Sequence, residues 1–396
     1  MNNSRKRLAI VTTHPIQYYA PLFKMLNQRG IVTVKIFYTW SQSQKGAKFD
    51  PGFGKSIEWD IPLLEGYDYT FVKNISSKPG THHFTGINNP TLNSEIEEWN
   101  PDAILIIGWS FISHLKCMRY FHNKIPILFR GDSTLLAEHF GPKLILRTLF
   151  LKWVYRHIDY ALYVGTNNKL YFLRHGVKEK QLIFAPHAID NERFFDSENS
   201  YYNQALNWRQ GLGIQKSDIV FLYAGKLEYK KNPDLLVKAF LTLKNPQTHL
   251  VLLGNGPLEK NLKLKYSGIK NIHFFDFQNQ SQMPVVYRLG DVFVLPSKGP
   301  IETWGLAVNE AMACSRVVIV SDRCGCGVDL IKDGINGYVF QRTNLTELVK
   351  KMELIVKDQD RLSEMGNNSL EIIKNWSFDK ICTSIEQLIL KEISLT

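Results

Sequence analysis

A short apolar, β-branched run followed by a helical segment recurs from one end of this chain to the other, and that alternation constrains the fold more than any other feature. In the first half the runs are residues 8–13, 32–38, 103–107, 125–129, 162–164 and 182–185. In the second half they are 219–224, 249–253, 272–275, 292–295 and 317–320. Runs this short and apolar on both faces read as buried parallel strands. The segments between them carry helix signals. Leu22, Phe23, Met25 and Leu26 precede a closing Gly30, and Asn89-Pro90 introduces the helix that ends at Trp99. Such alternation builds a doubly wound parallel sheet, so the fold class is α/β. The polar stretch 196–204 interrupts the series, so residues 1–198 and 199–376 are expected as two Rossmann-like domains, with 377–396 as a terminal helix. At 396 residues the chain is long enough to give each domain a full core.

Charge and cysteine content narrow the partners. The formal charge is +11, which speaks to partners and not to fold. Anionic lipid and a phosphorylated substrate both fit. Nucleic acid is not expected, because no helix-turn-helix, zinc-finger or RNP-type aromatic motif is present. Five cysteines, an odd number, do not make a disulfide framework. Cys324-Gly325-Cys326 lacks a second cluster at zinc spacing and reads as a tight glycine turn. Asp358-Gln359-Asp360 lies between two surface helices, away from any buried strand end, so no metal is expected there either. No apolar run approaches the length of a membrane span, and 8–13 is too short for a signal-peptide core. A cytoplasmic protein is expected.

Open α/β sheets bind ligands beyond the carboxyl ends of their strands, so the residues after each apolar run are the site candidates. The first half offers His14, with Gln17 and Tyr18, and Arg130-Gly131-Asp132. His14-Pro15 also fits a plain turn, and Arg130 beside Asp132 also fits a structural ion pair. In the second half Gly225-Lys226-Leu227, with Lys230 and Lys231, makes either a cationic phosphate pocket or a solvated charge run. Gly254-Asn255-Gly256-Pro257 is a glycine turn, and Asp276-Phe277 follows the next run. The run at 292–295 leads into Glu302, Trp304, Gly305, Leu306 and Glu310, a loop entering a helix. Free amides at a helix start attract phosphate. Carboxylates accept hydrogen bonds from hydroxyls. Lysines, a glycine turn and two glutamates at one sheet edge suit a sugar nucleotide.

Two further stretches stand apart. In 141–157, Leu144, Ile145, Leu149, Leu151, Trp153 and Val154 alternate with Lys143, Arg147, Lys152 and Arg156. That pattern fits a helix lying on an anionic membrane, and equally a half-buried helix whose basic stems snorkel. Residues 40–78, rich in Gly, Lys, Ser and aromatics without a helix period, read as an insertion or a small antiparallel excursion of the kind that carries acceptor contacts.

The second half resembles the retaining glycosyltransferases of family 4, which have the GT-B fold. Glu302 and Glu310 match the Glu-x7-Glu element, Trp304-Gly305-Leu306 the Phe-Gly-Leu step, and Gly225-Lys226-Leu227 with Lys231 the Gly-Arg-Leu…Lys phosphate element. Pro186-His187-Ala188-Ile189-Asp190 is similar to the hinge between the domains. The first half departs from the pattern: Thr12-Thr13-His14-Pro15 has no Gly-Gly pair, and Arg130-Gly131-Asp132 stands where a histidine is usual. Its His-Pro-Ile-Gln-Tyr start resembles a bacterial subset that builds surface polysaccharides such as lipopolysaccharide.

The resemblance implies two Rossmann-like domains facing a cleft, with the terminal helix crossing back to the first. It also implies transfer of a sugar from a nucleoside diphosphate to a hydroxyl of a glycan or lipid-linked acceptor, with retention and without a metal or other cofactor. Lys226 and Lys231 would neutralise the leaving diphosphate, Glu302 would hold sugar hydroxyls and Glu310 the ribose. Gly225, Gly254, Gly256, Phe277, Trp304, Gly305 and Leu306 would line the donor site. His14, Arg130 and Asp132 would serve the acceptor side. The basic and apolar pattern of 141–157, independent of the resemblance, allows peripheral contact with the inner face of the cytoplasmic membrane. The alternatives are a nucleotide-sugar epimerase or hydrolase, a catalytically inert sugar-nucleotide sensor, and a polyanion-binding module.

Overall fold

The computed structural model describes residues 5–41, 48–50, 52–138, 141–299 and 302–393. Leu8, Ala9, Ile10 and Val11 are wholly buried in β1 (Lys6–Thr12), so both faces of the strand are covered, as an apolar run without polar alternation requires. The strands that follow are β2 (Val32–Tyr38), β3 (Lys48–Asp50), β4 (Lys55–Ile57), β5 (Asp68–Phe71), β6 (Ala103–Ile107), β7 (Ile127–Arg130), β8 (Tyr160–Tyr163) and β9 (Leu182–Phe184). The later strands are β10 (Ile219–Ala224), β11 (Thr248–Leu253), β12 (Ile272–Phe275), β13 (Val292–Leu295), β14 (Val317–Ser321) and β15 (Gly337–Phe340).

The helices between them begin with α1 (Ala20–Arg29), α2 (Leu92–Trp99), α3 (Ile112–Phe121), α4 (Pro142–Tyr155) and α5 (Thr166–Arg174). Next come α6 (Asn191–Phe194), α7 (Ser200–Gly211), α8 (Pro233–Leu243), α9 (Glu259–Tyr266) and α10 (Met283–Leu289). The last are α11 (Leu306–Ala313), α12 (Gly327–Leu330), α13 (Leu345–Lys357), α14 (Leu362–Ile373) and α15 (Phe378–Ile393).

The chain forms two Rossmann-like α/β units. The first comprises residues 1–48, 61–187 and 378–396, and the second residues 49–60 and 188–377. The first unit has a parallel sheet in the order β5-β2-β1-β6-β7-β8-β9. The second has a parallel sheet in the order β12-β11-β10-β13-β14-β15, with β3 and β4 as a separate two-stranded sheet. In both, the order reverses beside the first strand of the unit, so the loops after β1 and β10 lie at a switch point.

Three features depart from the sequence expectation. β5 extends the first sheet from within the stretch expected as an insertion. Its Asp68-Tyr69 end is exposed, and an edge strand open on one side carries no continuous apolar run. The polar stretch expected as a linker lies inside the second unit, where the Asp196 carboxylate accepts the Tyr201 and Tyr202 N–H groups at 3.2 and 2.8 Å and so opens α7. The same carboxylate faces Arg288 Nε at 3.4 Å, so the polarity is that of a helix start tied to its neighbour. The chain therefore enters the second unit at Ala188, ahead of the expected boundary after 198.

α15 completes the first unit by docking on α1. Arg29 Nε donates to Glu386 at 3.0 Å, and one terminal nitrogen donates to Glu386 Oε2 at 2.8 Å and to Thr383 Oγ1 at 3.1 Å. The other terminal nitrogen reaches Asp379. Glu386 is buried, so its charge depends on this guanidinium. Arg29→Met is expected to destabilise the first unit by about 3 kcal/mol in urea unfolding, because it strands a buried carboxylate. Arg29→Met with Glu386→Gln is expected to recover most of the loss.

Candidate functional site

In the second unit, the residues singled out from the sequence gather where β10, β11, β12 and β13 end. Beyond β10 the chain turns through Gly225 and Lys226, with the Tyr223 hydroxyl donating to the Lys226 carbonyl at 2.6 Å. Gly225 N–H bonds Leu253 O at 2.9 Å, and Leu227 N–H bonds Asn255 O at the same distance, so the loops after β10 and β11 are laced together. Gly254 is required by that lacing. With φ at 138°, an added Cβ would stand 2.0 Å from the Gly225 carbonyl oxygen. Gly256 lies against the Leu227 carbonyl in the same way.

Asn255, between those glycines, extends the lacing to the loop after β12. Its buried side chain accepts the Phe277 N–H at 2.8 Å and donates to Asp276 at 3.1 Å and Glu259 at 2.9 Å. The sequence reading passed over this residue, although a polar side chain between two glycines of a sheet-edge turn was a signal for it.

Beyond β13 the loop carrying Glu302 is fixed from two sides. Ser297 Oγ donates to Glu302 Oε2 at 3.0 Å, and Lys231 Nζ forms an ion pair with the same oxygen. On the other side the backbone of 302–304 pairs with the turn 324–326: Gly325 N–H bonds Glu302 O at 3.0 Å and Cys326 N–H bonds Trp304 O at 3.1 Å. Gly325 is needed there, since a Cβ would meet the Thr303 carbonyl oxygen at 1.8 Å. Burial raises the Cys324 thiol well above its ordinary pKa, and the Cys-Gly-Cys stretch is a packed glycine turn with both thiols buried.

The chain then swings through Gly305, at φ 101°, into α11 and Leu306. Trp304 is buried, its indole N–H donating to Asn309 Oδ1 at 2.8 Å. Glu310 is buried on α11, where the Tyr287 hydroxyl donates to Oε2 at 2.6 Å and Arg193 stands 4.0 Å from Oε1. Tyr287, from the middle of α10, carries no motif that marks it.

Lys226 has its own counter-ion. Its Nζ lies 2.9 and 3.1 Å from the two oxygens of Asp50 and 4.9 Å from the centre of the Phe53 ring. Phe53 in turn packs on Phe277 at 4.8 Å. Burial by itself would raise the Asp50 carboxyl, but the bond and charge of Lys226 and the Gly52 and Phe53 N–H groups outweigh it and hold the pKa below its ordinary value.

The candidates of the first unit lie in the first unit. Arg130 is buried at the end of β7, and its two terminal nitrogens donate to the carbonyls of Ala185 and Pro186 at 2.7 and 2.8 Å. Its guanidinium ties the end of β7 to the exit from β9. Burial lowers His187 to about 4, opposed by the Asp132 carboxylate and reinforced by Arg130, so its ring is neutral at pH 7. His14 sits half-buried, Nδ1 3.0 Å from Thr13 Oγ1 and its ring edge-on to Trp40 at 5.3 Å.

The chain is similar to several known proteins. The chain is 24% identical over 306 residues to the GDP-mannose-dependent alpha-mannosyltransferase of Corynebacterium glutamicum, covering 76% of this chain and 70% of that protein. It is 28% identical over 239 residues to a Campylobacter jejuni enzyme named as a GalNAc-alpha-(1->4)-GalNAc-alpha-(1->3)-diNAcBac-PP-undecaprenol alpha-1,4-N-acetyl-D-galactosaminyltransferase, covering 59% and 60%. The matched stretch spans about half of an uncharacterized glycosyltransferase of Methanocaldococcus jannaschii, 47% of its length at 27% identity and 46% of this chain. In fold the chain superposes on the UDP complex of Anabaena HepE with a TM-score of 0.70 at 16% identity, covering 99% of this chain and 100% of that one.

Gly254→Ala is expected to cost about 3 kcal/mol in thermal unfolding, through overpacking against the Gly225 carbonyl. Gly268→Ala, where an added Cβ meets nothing within 4 Å, is the neutral comparison. The loops just described, from Gly225 to Cys326, fall within residues 204–371, which match the profile of the family Glycosyl transferases group 1.

Proposed function

We propose that the protein is a retaining glycosyltransferase that moves a sugar from a nucleoside diphosphate to a hydroxyl of a glycan or lipid-linked acceptor in bacterial surface-polysaccharide synthesis. The observation that carries the proposal is the set of charges at the carboxyl edge of the second sheet. The ammoniums of Lys226 and Lys231 and the carboxylates of Glu302 and Glu310 stand around loops built on glycine. Two relatives support the chemistry by name, one GDP-mannose-dependent and one acting on a PP-undecaprenol-linked glycan.

In this mechanism the donor diphosphate lies against Lys226 and the amides at the start of α11. As the bond from the sugar to the diphosphate breaks, charge grows on the leaving oxygen, and Lys226 and Lys231 neutralise it. Fixed charges of this kind contribute roughly 3 kcal/mol each to the transition state. Glu302, held in place by Ser297 and Lys231, accepts from sugar hydroxyls. Glu310, oriented by Tyr287, accepts from the ribose. The ammoniums supply the neutralisation in this scheme, and no metal or other cofactor enters it.

The acceptor and location rest on α4. Ile145, Leu146 and Leu149 are 65, 68 and 59% exposed, with Lys143 and Arg147 among them. A groove of about 530 Å³ along the helix is lined by Leu144, Ile145 and Leu149 and flanked by Lys152 and Arg174. Leu151, Val154 and Tyr155 anchor the opposite face in the core. An exposed apolar stripe bordered by cations suits an anionic membrane surface. Among the described residues no helix is long and apolar enough to cross a membrane. We place the protein in the cytoplasm, peripheral at the inner face of the cytoplasmic membrane.

Thermal shift with UDP, GDP, ADP, CMP and dTDP, followed by sugar donors of the stabilising base, tests the assignment. Lys226→Ala is expected to lower kcat/KM by two to three orders of magnitude, and Glu310→Gln to weaken nucleotide binding about tenfold. Unchanged turnover in Lys226→Ala would count against a glycosyltransferase, and donor consumed without acceptor would make the protein an epimerase or hydrolase. Liposomes with anionic lipid are expected to sediment the protein at low salt. Ile145→Glu with Leu149→Glu should abolish that, and equal recovery with neutral lipid would refute the membrane contact.

A further inference from the structure

Residues 49–60 belong to the second unit although the chain on both sides of them belongs to the first. They form an arm with three attachments. At its start the Asp50 carboxylate takes both of its oxygens to Lys226 Nζ, at 2.9 and 3.1 Å. The carboxylate is shaped for this by its own turn: Oδ1 also accepts the Gly52 and Phe53 N–H groups at 2.7 and 3.2 Å, and Gly54 N–H bonds Asp50 O at 2.8 Å. The fit is close, since a Cβ on Gly52 would stand 2.5 Å from Lys226 Nζ. In its middle the arm lays Phe53 and Trp59 on Phe277, with ring centres at 4.8 and 6.4 Å. At its end Asn279 Nδ2 donates to Glu58 O at 2.6 Å and Ser281 N–H to Asp60 at 3.2 Å.

The arm thus covers two of the residues given to the donor, Lys226 and Phe277, and it does so with an anion on the cation. Asp50 and Lys226 are each 31% exposed. An ion pair that open to water contributes little and exchanges readily. A diphosphate brings more charge and more acceptor oxygens to the same ammonium than one carboxylate does. We infer that residues 49–60 are a latch, in which Asp50 occupies the donor-site lysine until a diphosphate displaces it, so that docking of the arm and binding of the donor exclude one another. This rests on the donor-site reading given above. The latch keeps the lysine paired when no donor is present and couples donor arrival to release of the arm.

The test compares wild type, Asp50→Asn and Lys226→Ala by titration calorimetry with UDP, GDP, ADP and dTDP and with the corresponding nucleosides. It adds hydrogen exchange over residues 52–60 of the wild type with and without the nucleotide that binds. Removing the competing carboxylate should raise the fraction of free lysine. Asp50→Asn is expected to bind the diphosphate about three- to tenfold more tightly and the nucleoside unchanged. Exchange in the arm is expected to rise when the diphosphate binds. The latch is overturned if Lys226→Ala loses diphosphate binding while Asp50→Asn gains none, or if the arm becomes as protected or more so with nucleotide. If no diphosphate binds either wild type or Asp50→Asn, or Lys226→Ala binds as wild type does, the donor-site reading fails and the latch with it. Should Asp50→Asn not fold, exchange in the wild type decides alone.

Discussion

One carboxylate oxygen, Oε2 of Glu302, joins the loops of the second unit. It takes Lys231 from the loop after β10 and Ser297 from the loop after β13, while the Glu302 backbone pairs with the turn after β14. Parallel strands make such a junction necessary. Their shared direction brings the loop after each strand to one edge, where backbone groups have no further strand to bond and must be satisfied by side chains. Ser321 Oγ donating to Ser297 O, Asn255 donating and accepting across two loops, and Tyr223 donating to Lys226 O answer the same need. The start of α11 is aimed by these bonds, so the placement of Gly305, Leu306 and Glu310 follows from the Glu302 junction.

The strands that were legible in the sequence are those buried on both faces. β10, β11, β13 and β14, and β1 from Leu8 onward, are mostly apolar because their side chains are buried. β5 was hidden by the opposite circumstance, an open edge where Asp68 and Tyr69 face solvent. The stretch opening α7 read as a linker because a helix start tied by Asp196 uses the polar residues that a linker also uses. Among site residues, Lys226, Lys231, Glu302 and the glycines stood out since each type has few uses at a sheet edge. Tyr287 and Asp50 did not. Their partners, Glu310 and Lys226, lie 23 and 176 residues away, and no local pattern records a contact set by the whole fold.

The two units hold the cations at their sheet edges differently. In the first, Arg130 has its terminal nitrogens on carbonyls of the chain and His187 is held neutral by burial. In the second, Lys226 is half-exposed against a side chain from a short arm.

Exposure sorts the ion pairs by what they can do. A pair with one partner deeply buried, such as Arg29 with Glu386, cannot exchange its counter-ion without stranding a charge, and it therefore holds the fold. Lys231 and Glu302, at 20 and 12% exposure, shape a loop and remain within reach of solvent. Lys226 and Asp50 lose little on separation, because water solvates both. A ligand that offers stronger acceptors to the ammonium can replace the carboxylate there at small cost, whereas the same ligand could not dislodge the buried pairs. The second unit thus keeps its frame in the buried interactions and leaves the Lys226–Asp50 pair open to exchange with solvent.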